Sequence, residues 1–417
     1  MFNHKRGTYS PLIALIVASV LIRVGMALWL GNQVEPVSGA ADQVSYDTLA
    51  QSILAGKGFS FPTNWYPFTL ANEPTAHWSY LYTLYLAGVY AVTGHDPLAA
   101  RLIQALLSGL TIWFVYRIGS RLFGAWVGLA AAALTGVYAY LVFFNAALMT
   151  QTFYIIAVLA VIDLSLALAE NPTRQNWVLL GVAMGIGALL RQTLLIFAPL
   201  VFAWIILTRH WRLRWRDVLI SLGVVGLFIL PWTIYNYFTF HDFLLLNSNG
   251  GYWFYSSNHP LQGTHFDQNF AAPLPAELRG LSEPAIDRAL YREGLGFILA
   301  DPTRFLLLSL SRVKDYFWVS PSEQSSLISN LARLFSFALY LPFMIYGLVL
   351  SRRQWRLCVP LYLYVAFDTT LCLATWAAPR YRLPSDTVMM VFAGLAVVSL
   401  AARWGWIPRA ALARRAV

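Results

Sequence analysis

The segment PLIALIVASVLIRVGMALWL, residues 11–30, is an apolar stretch of twenty positions broken only by Ser19 and Arg23. At 1.5 Å per residue, a helix of that length spans about 30 Å, the hydrocarbon thickness of a bilayer. No small-residue cleavage site follows it, so the segment reads as a retained signal-anchor helix rather than a removed leader. The same texture recurs along the chain. Further apolar spans lie at 98–117, 122–143, 149–169, 175–190, 192–208, 217–236, 330–350, 356–375 and 385–403. Together they predict an all-α polytopic membrane protein with about ten crossings. The short 175–190 and 192–208 pair is also compatible with a hairpin that does not fully cross.

Composition agrees. Hydrophobic residues make up 58% of the 417 positions and charged residues only 12%, about half the charge of an ordinary soluble domain. Lipid is the solvent in which such a chain can expose its surface. The 15% aromatic content suits Trp and Tyr at two membrane interfaces. Cys358 and Cys372 lie in one apolar stretch and predict no disulfide. The net charge of +10 would suggest nucleic acid in a soluble protein, but here it reads as topological and no nucleic-acid partner is expected.

Basic residues gather at alternate span ends: Lys5 and Arg6; Arg117 and Arg121; Arg174; Arg209, Arg212, Arg214 and Arg216; Arg352, Arg353 and Arg356; then Arg403, Arg409, Arg414 and Arg415. These are sixteen of the 29 Lys and Arg residues, and they assign that face and both termini to the cytoplasm. Two long stretches then face outward, 31–97 and 237–329, and hold fourteen of the nineteen acidic residues. Within them Trp78–Thr93 and Phe305–Trp318 read as interfacial helices on the outer leaflet. The expected organisation is one transmembrane domain over 1–403 and a basic cytoplasmic tail over 404–417.

Polar residues that belong to neither pattern mark the candidate site. Asp42 and Asp47 stand five residues apart in the first outer stretch, so on a helix they point about 140° apart and do not share a face. Gly56-Lys57-Gly58 would end that helix. His77 opens the next apolar segment and suits either hydrogen-bond donation to a phosphate or acid–base work, or simply a helix cap. Arg191 sits at an outer turn, where an anionic headgroup or snorkelling would each satisfy it. Arg380 and Arg382 flank Tyr381 on the outer face, where basic residues are disfavoured, and their planar forks suit phosphate oxygens. Asp163 and Asp368 lie within spans and read as hydrogen-bonded inside the bundle rather than as an ion path. No Walker loop, CxxC pair or HExxH motif is present.

In order and spacing, a series of blocks from about Ala40 to Gly394 resembles the lipid-dependent GT-C membrane glycosyltransferases. The nearest branch is that of the protein O-mannosyltransferases and the lipid A aminoarabinose transferase. The blocks are Asp42-x-x-x-Tyr46 with Ala50 and Gly56-Lys57-Gly58-Phe59; Ala100-Arg101-Leu102; the run from Arg117 to Gly124; Gly181 to Gly187 with Leu190-Arg191; Pro231-Trp232-Thr233-Ile234-Tyr235-Asn236; Asn249-Gly250-Gly251 with Asn258-x-Pro260; and Pro379-Arg380-Tyr381-Arg382-Leu383-Pro384.

The resemblance implies an inverting transfer of a hexosyl or pentosyl group on the outer face, from a polyprenyl-phosphate sugar to a hydroxyl acceptor on protein, lipid or glycan. Asp42 falls on the family's catalytic base. Arg380, Arg382 and Arg191 become phosphate ligands, with Lys57, His77, Tyr46, Asp47, Tyr381 and Asn249 as further substrate contacts. The chain departs from the family pattern at Gln151 and Tyr235, where relatives often carry Glu and Arg, and at Gln43, where some carry a second acid. One carboxylate in place of two implies no metal, and no cofactor is expected. Two rival readings are a flippase for a lipid-linked sugar and a non-catalytic lipid-binding relative.

Overall fold

The computed structural model describes residues 3–36, 39–209, 215–318, 330–331 and 334–408, with side-chain detail from Ser10 onward. Arg212, Arg214, Glu323, Arg409, Arg414 and Arg415 lie outside the described residues, as do the end of the second polar stretch and most of the expected tail.

The chain is almost entirely helical. The helices are α1 (Asn3–Leu30), α2 (Asp42–Leu54), α3 (Tyr80–Thr93), α4 (Pro97–Leu107), α5 (Gly109–Phe123), α6 (Ala125–Gly136), α7 (Ala139–Ala146), α8 (Gln151–Glu170) and α9 (Arg174–Leu190). They continue as α10 (Thr193–Arg209), α11 (Trp215–Phe240), α12 (Gly250–Asn258), α13 (Glu283–Ala300), α14 (Pro302–Tyr316), α15 (Leu339–Ser351), α16 (Trp355–Ala374) and α17 (Leu383–Arg403). Extended pairing among the described residues is limited to isolated bridges at Ser60–Pro74 and Trp65–Thr69.

Among the described residues, helices lie at each of the ten expected span positions. Six apolar runs among the described residues are long enough to cross a membrane, and up to eight if each of two bent pairs counts as one. The run Leu334–Ala374 is 41 residues long, yet it folds back on itself. Gly347 lies against the backbone of Phe392 while Tyr362, fifteen positions on, stacks on the Phe392 ring at 5.5 Å. In a straight helix those positions would lie about 22 Å apart. The chain therefore reverses at Arg352–Gln354, and α15 and α16 are separate helices. The expected 122–143 span is broken: α6 and α7 meet at 58° around Val137 and Tyr138. Each of α9 and α10 has only 17 residues, short for a full crossing. The pair α13 and α14 bends by 105°, and α13 carries Glu283, Asp287, Arg288, Arg292 and Glu293. We read that pair as lying outside the spans.

α17 is the central staff, buried along most of its length. Small residues let neighbours approach it: Gly394 packs on α6 and Gly347 of α15 packs on α17. At one end of the bundle Arg117 pairs with Asp163 at 2.8 Å and Arg121 with Glu170 at 2.8 Å. Asp163 is thus spent on arginines, and Asp368 accepts a 2.5 Å bond from Ser385. At the opposite end α2, α3, α12, α13 and α14 gather over the tips of α8, α9, α16 and α17.

Candidate active site

α2 lays Tyr46, Leu49 and Ala50 into the core and leaves Asp42 on its first turn, its side chain 31% exposed. The helix stops at Ala55. Gly56 and Gly58 follow with φ of 74° and 67°, a left-handed geometry that glycine adopts without strain. Asp47, on the opposite side, accepts from Tyr90 at 2.6 Å and Gln51 at 2.8 Å and meets His95 at 2.9 Å. It anchors α2 to α3. Tyr46 is buried edge-on against Trp78 (5.4 Å) and Tyr82 (4.8 Å), fixing the turn that carries Asp42.

Asp42 Oδ2 meets Arg380 Nη1 at 2.9 Å across 338 residues of sequence. Arg380 also donates to the Gly39 carbonyl at 3.2 Å and to the Tyr381 hydroxyl at 2.7 Å. Its guanidinium lies 4.8 Å from the Tyr381 ring centre, and that of Arg191 lies 5.6 Å from the same ring. Arg191 follows the last residue of α9, donates to Thr150 at 3.2 Å and covers Tyr154 at 5.0 Å. No carboxylate lies within 4.0 Å of Arg191 among the described residues. Asp42, Arg380, Tyr381 and Arg191 form one half-buried cluster with a surplus of one positive charge. It sets two guanidinium groups beside one carboxylate.

The other candidates fall elsewhere. Arg382 is 2% exposed, bonded to Asp386 at 2.9 Å and to the Tyr316 carbonyl, and stacked on Phe337. Residues 379–382 form a 3₁₀ turn, so positions two apart point about 120° apart. Arg380 therefore faces the cluster and Arg382 the core. Lys57 is exposed beyond the end of α2. His77 is 3% exposed, packed on Phe68 and Trp78, with no partner for Nδ1. Burial pushes its imidazole down to about 3, so it is neutral at physiological pH. Asn249 donates to the His77 carbonyl at 3.1 Å and accepts from Gln192 at 3.3 Å, bracing the turn next to Arg191. Among the described residues no group of three His, Cys, Asp or Glu side chains converges to hold a metal ion.

Several residues of this region escape sequence reasoning. Thr150, Gln192 and Tyr66 carry no motif. Tyr66 bonds the Tyr252 hydroxyl at 3.3 Å and stands beside Trp253. Tertiary packing alone brings these segments together.

Residues 78–235 match the family described as dolichyl-phosphate-mannose-protein mannosyltransferase. The archaeal oligosaccharyltransferase AglB from Archaeoglobus fulgidus, solved with an inhibitory peptide and a dolichol-phosphate, superposes with a TM-score of 0.58 at 15% identity. The match covers 100% of this chain and 53% of that one. ArnT from Cupriavidus metallidurans, bound to undecaprenyl phosphate, gives 0.55 at 15% identity, covering 94% of this chain and 61% of that one. The chain thus spans little more than half the length of these proteins. No curated protein matches it in sequence. The chain shares the helical membrane-protein fold of these two proteins, the fold that the resemblance implied.

Proposed function

We propose that the chain moves a sugar from a polyprenyl-phosphate donor to a hydroxyl acceptor, with Asp42 as general base. The observation that carries this reading is the meeting of Asp42, Arg380 and Arg191 around Tyr381, from three segments remote in sequence. The matched family and the solved relatives, named for lipid-phosphate sugars or holding lipid phosphates, support the donor class.

The acceptor hydroxyl would give its proton to Asp42 as its oxygen bonds the anomeric carbon. The bond from that carbon to the phosphate oxygen breaks, and polyprenyl phosphate departs with the bonding pair. Attack from the face opposite the phosphate inverts the carbon. The leaving phosphate passes from one negative charge to two, and Arg380 and Arg191 are placed to take up the gain. Arginine-rich span ends at the far side of the bundle support an outward-facing Asp42 end.

The test is Asp42→Asn in purified protein, assayed against a panel of undecaprenyl-phosphate sugars with crude envelope glycans, glycolipids and peptides as acceptors. Turnover should fall by about 10²–10⁴, the usual worth of a general base, with binding of undecaprenyl phosphate retained. Unaltered turnover removes Asp42 from this role.

A further inference from the structure

Glu283, the first residue of α13, is 8% exposed and bridges both polar stretches. Its Oε1 accepts from the Ala76 amide at 2.7 Å, from Thr75 Oγ1 at 3.2 Å and from Ser248 Oγ. The two segments it joins then lock onto each other. Asn247 Nδ2 donates to the carbonyls of Ala76 (3.0 Å) and Trp78 (2.8 Å), and Asn249 Nδ2 to that of His77. From there the contacts run in two directions. Gln192, next to Arg191, donates to the Asn247 carbonyl at 3.1 Å and to Asn249 Oδ1 at 3.3 Å. Ser79 donates to the Leu189 carbonyl at 2.8 Å, holding the tip of α9 as well. On the other side Trp78 packs on Tyr46, one turn from Asp42. One buried carboxyl thus braces the turn that presents Arg191 and the helix that presents Asp42.

We propose that Glu283 is a positioning residue for transfer: through Ala76, Ser248, Asn247, Asn249 and Gln192 it sets Arg191 at the spacing from Asp42 that a lipid phosphate and its sugar require. The proposal rests on reading the Asp42–Arg380–Arg191 cluster as a lipid-phosphate site. It adds a residue whose side chain touches neither substrate nor any cluster side chain. A buried acid next to another acid, Asp287, is costly to keep for packing alone, since an apolar residue would fill the volume more cheaply. What the carboxyl supplies is three hydrogen bonds on one oxygen, and glutamine can supply the same three.

The experiment measures undecaprenyl phosphate binding to full-length protein in detergent, alongside melting temperature. Glu283→Ala and Gln192→Ala should each weaken binding at least tenfold at temperatures where the protein is folded. Glu283→Gln should stay within threefold of the native chain. Gly347→Ala, which disturbs the remote α15–α17 contact, should lower the melting temperature without that loss of affinity. Undiminished binding in Glu283→Ala overturns the proposal. If Glu283→Ala fails to fold, undiminished binding in Gln192→Ala does so. If Arg191→Ala and Arg380→Ala both bind as the native chain does, the cluster reading falls and this proposal with it.

Discussion

Replacing Arg380 with alanine isolates the electrostatic part of the mechanism. In the proposed reaction the donor is a phosphodiester with one negative charge, and the product is a monoester approaching two. A guanidinium about 4 Å from that phosphate, at an effective dielectric of about 20, contributes about 4 kcal/mol per unit charge. If about half of the new charge has developed at the transition state, Arg380 is worth about 2 kcal/mol more there than in the ground state, or about thirtyfold in kcat. The charge already present on the donor makes KM rise as well. Arg380→Lys keeps the charge but loses the fork that spans Asp42, Gly39 and the Tyr381 hydroxyl, so it should recover part of kcat. The assay is steady-state transfer from an undecaprenyl-phosphate sugar, with kcat and KM resolved. A variant whose KM rises while kcat stays native refutes the argument, because it would show that Arg380 binds donor and transition state equally.

Arg382→Ala should act on stability rather than on catalysis. It leaves Asp386 buried and without its ion-pair partner, a loss of about 3–5 kcal/mol that thermal unfolding in detergent would register. Gly347→Ala places a methyl within 1.7 Å of the Phe392 carbonyl oxygen, so α15 must shift, at about 1–3 kcal/mol in the same melting assay. Burial raises Glu283 to about 7 and Asp287 to about 6. Both values exceed those of an unfolded chain, so their contribution to stability is full below about pH 4 and is lost as pH rises through 6 and 7. Hydrogen exchange in α12 and α13, corrected for intrinsic rates, should therefore slow on going from pH 8 to pH 5.5, and Glu283→Gln should flatten the trend.

The sequence carried the membrane character of this chain because hydrophobicity at bilayer length is a local signal. Among the described residues, each of the ten apolar positions holds helix for that reason. The break between α6 and α7 was not legible, since Gly136, Val137 and Tyr138 continue the apolar run and only packing turns the chain there. The opposition of Asp42 and Asp47 across α2 was legible, because five residues in a helix fix their angular separation. What each would meet was not: Tyr90 and His95 lie more than forty residues from Asp47.

The arginines show most sharply where sequence reasoning stops. Arg23, Arg101, Arg312, Arg380 and Arg382 all lie in or beside apolar sequence, and any of them is a plausible anion ligand by type. The structure separates them by what already surrounds each guanidinium. Arg23 and Arg101 donate to backbone carbonyls of neighbouring helices and loops, and Arg312 holds the carbonyls of Ser257 and Leu373. Arg382 is enclosed with Asp386. Buried and bonded to acceptors of the fold, these four staple the bundle. Arg380 keeps a partly exposed carboxylate beside it, and Arg191 holds a hydroxyl and two aromatic faces. Those partners leave positive charge uncancelled in a half-buried place, the condition under which a phosphate gains most from arriving. What sets Arg380 apart from these four is exposure: its guanidinium and its carboxylate partner stay partly open, and that opening is set by tertiary neighbours rather than by the residues on either side.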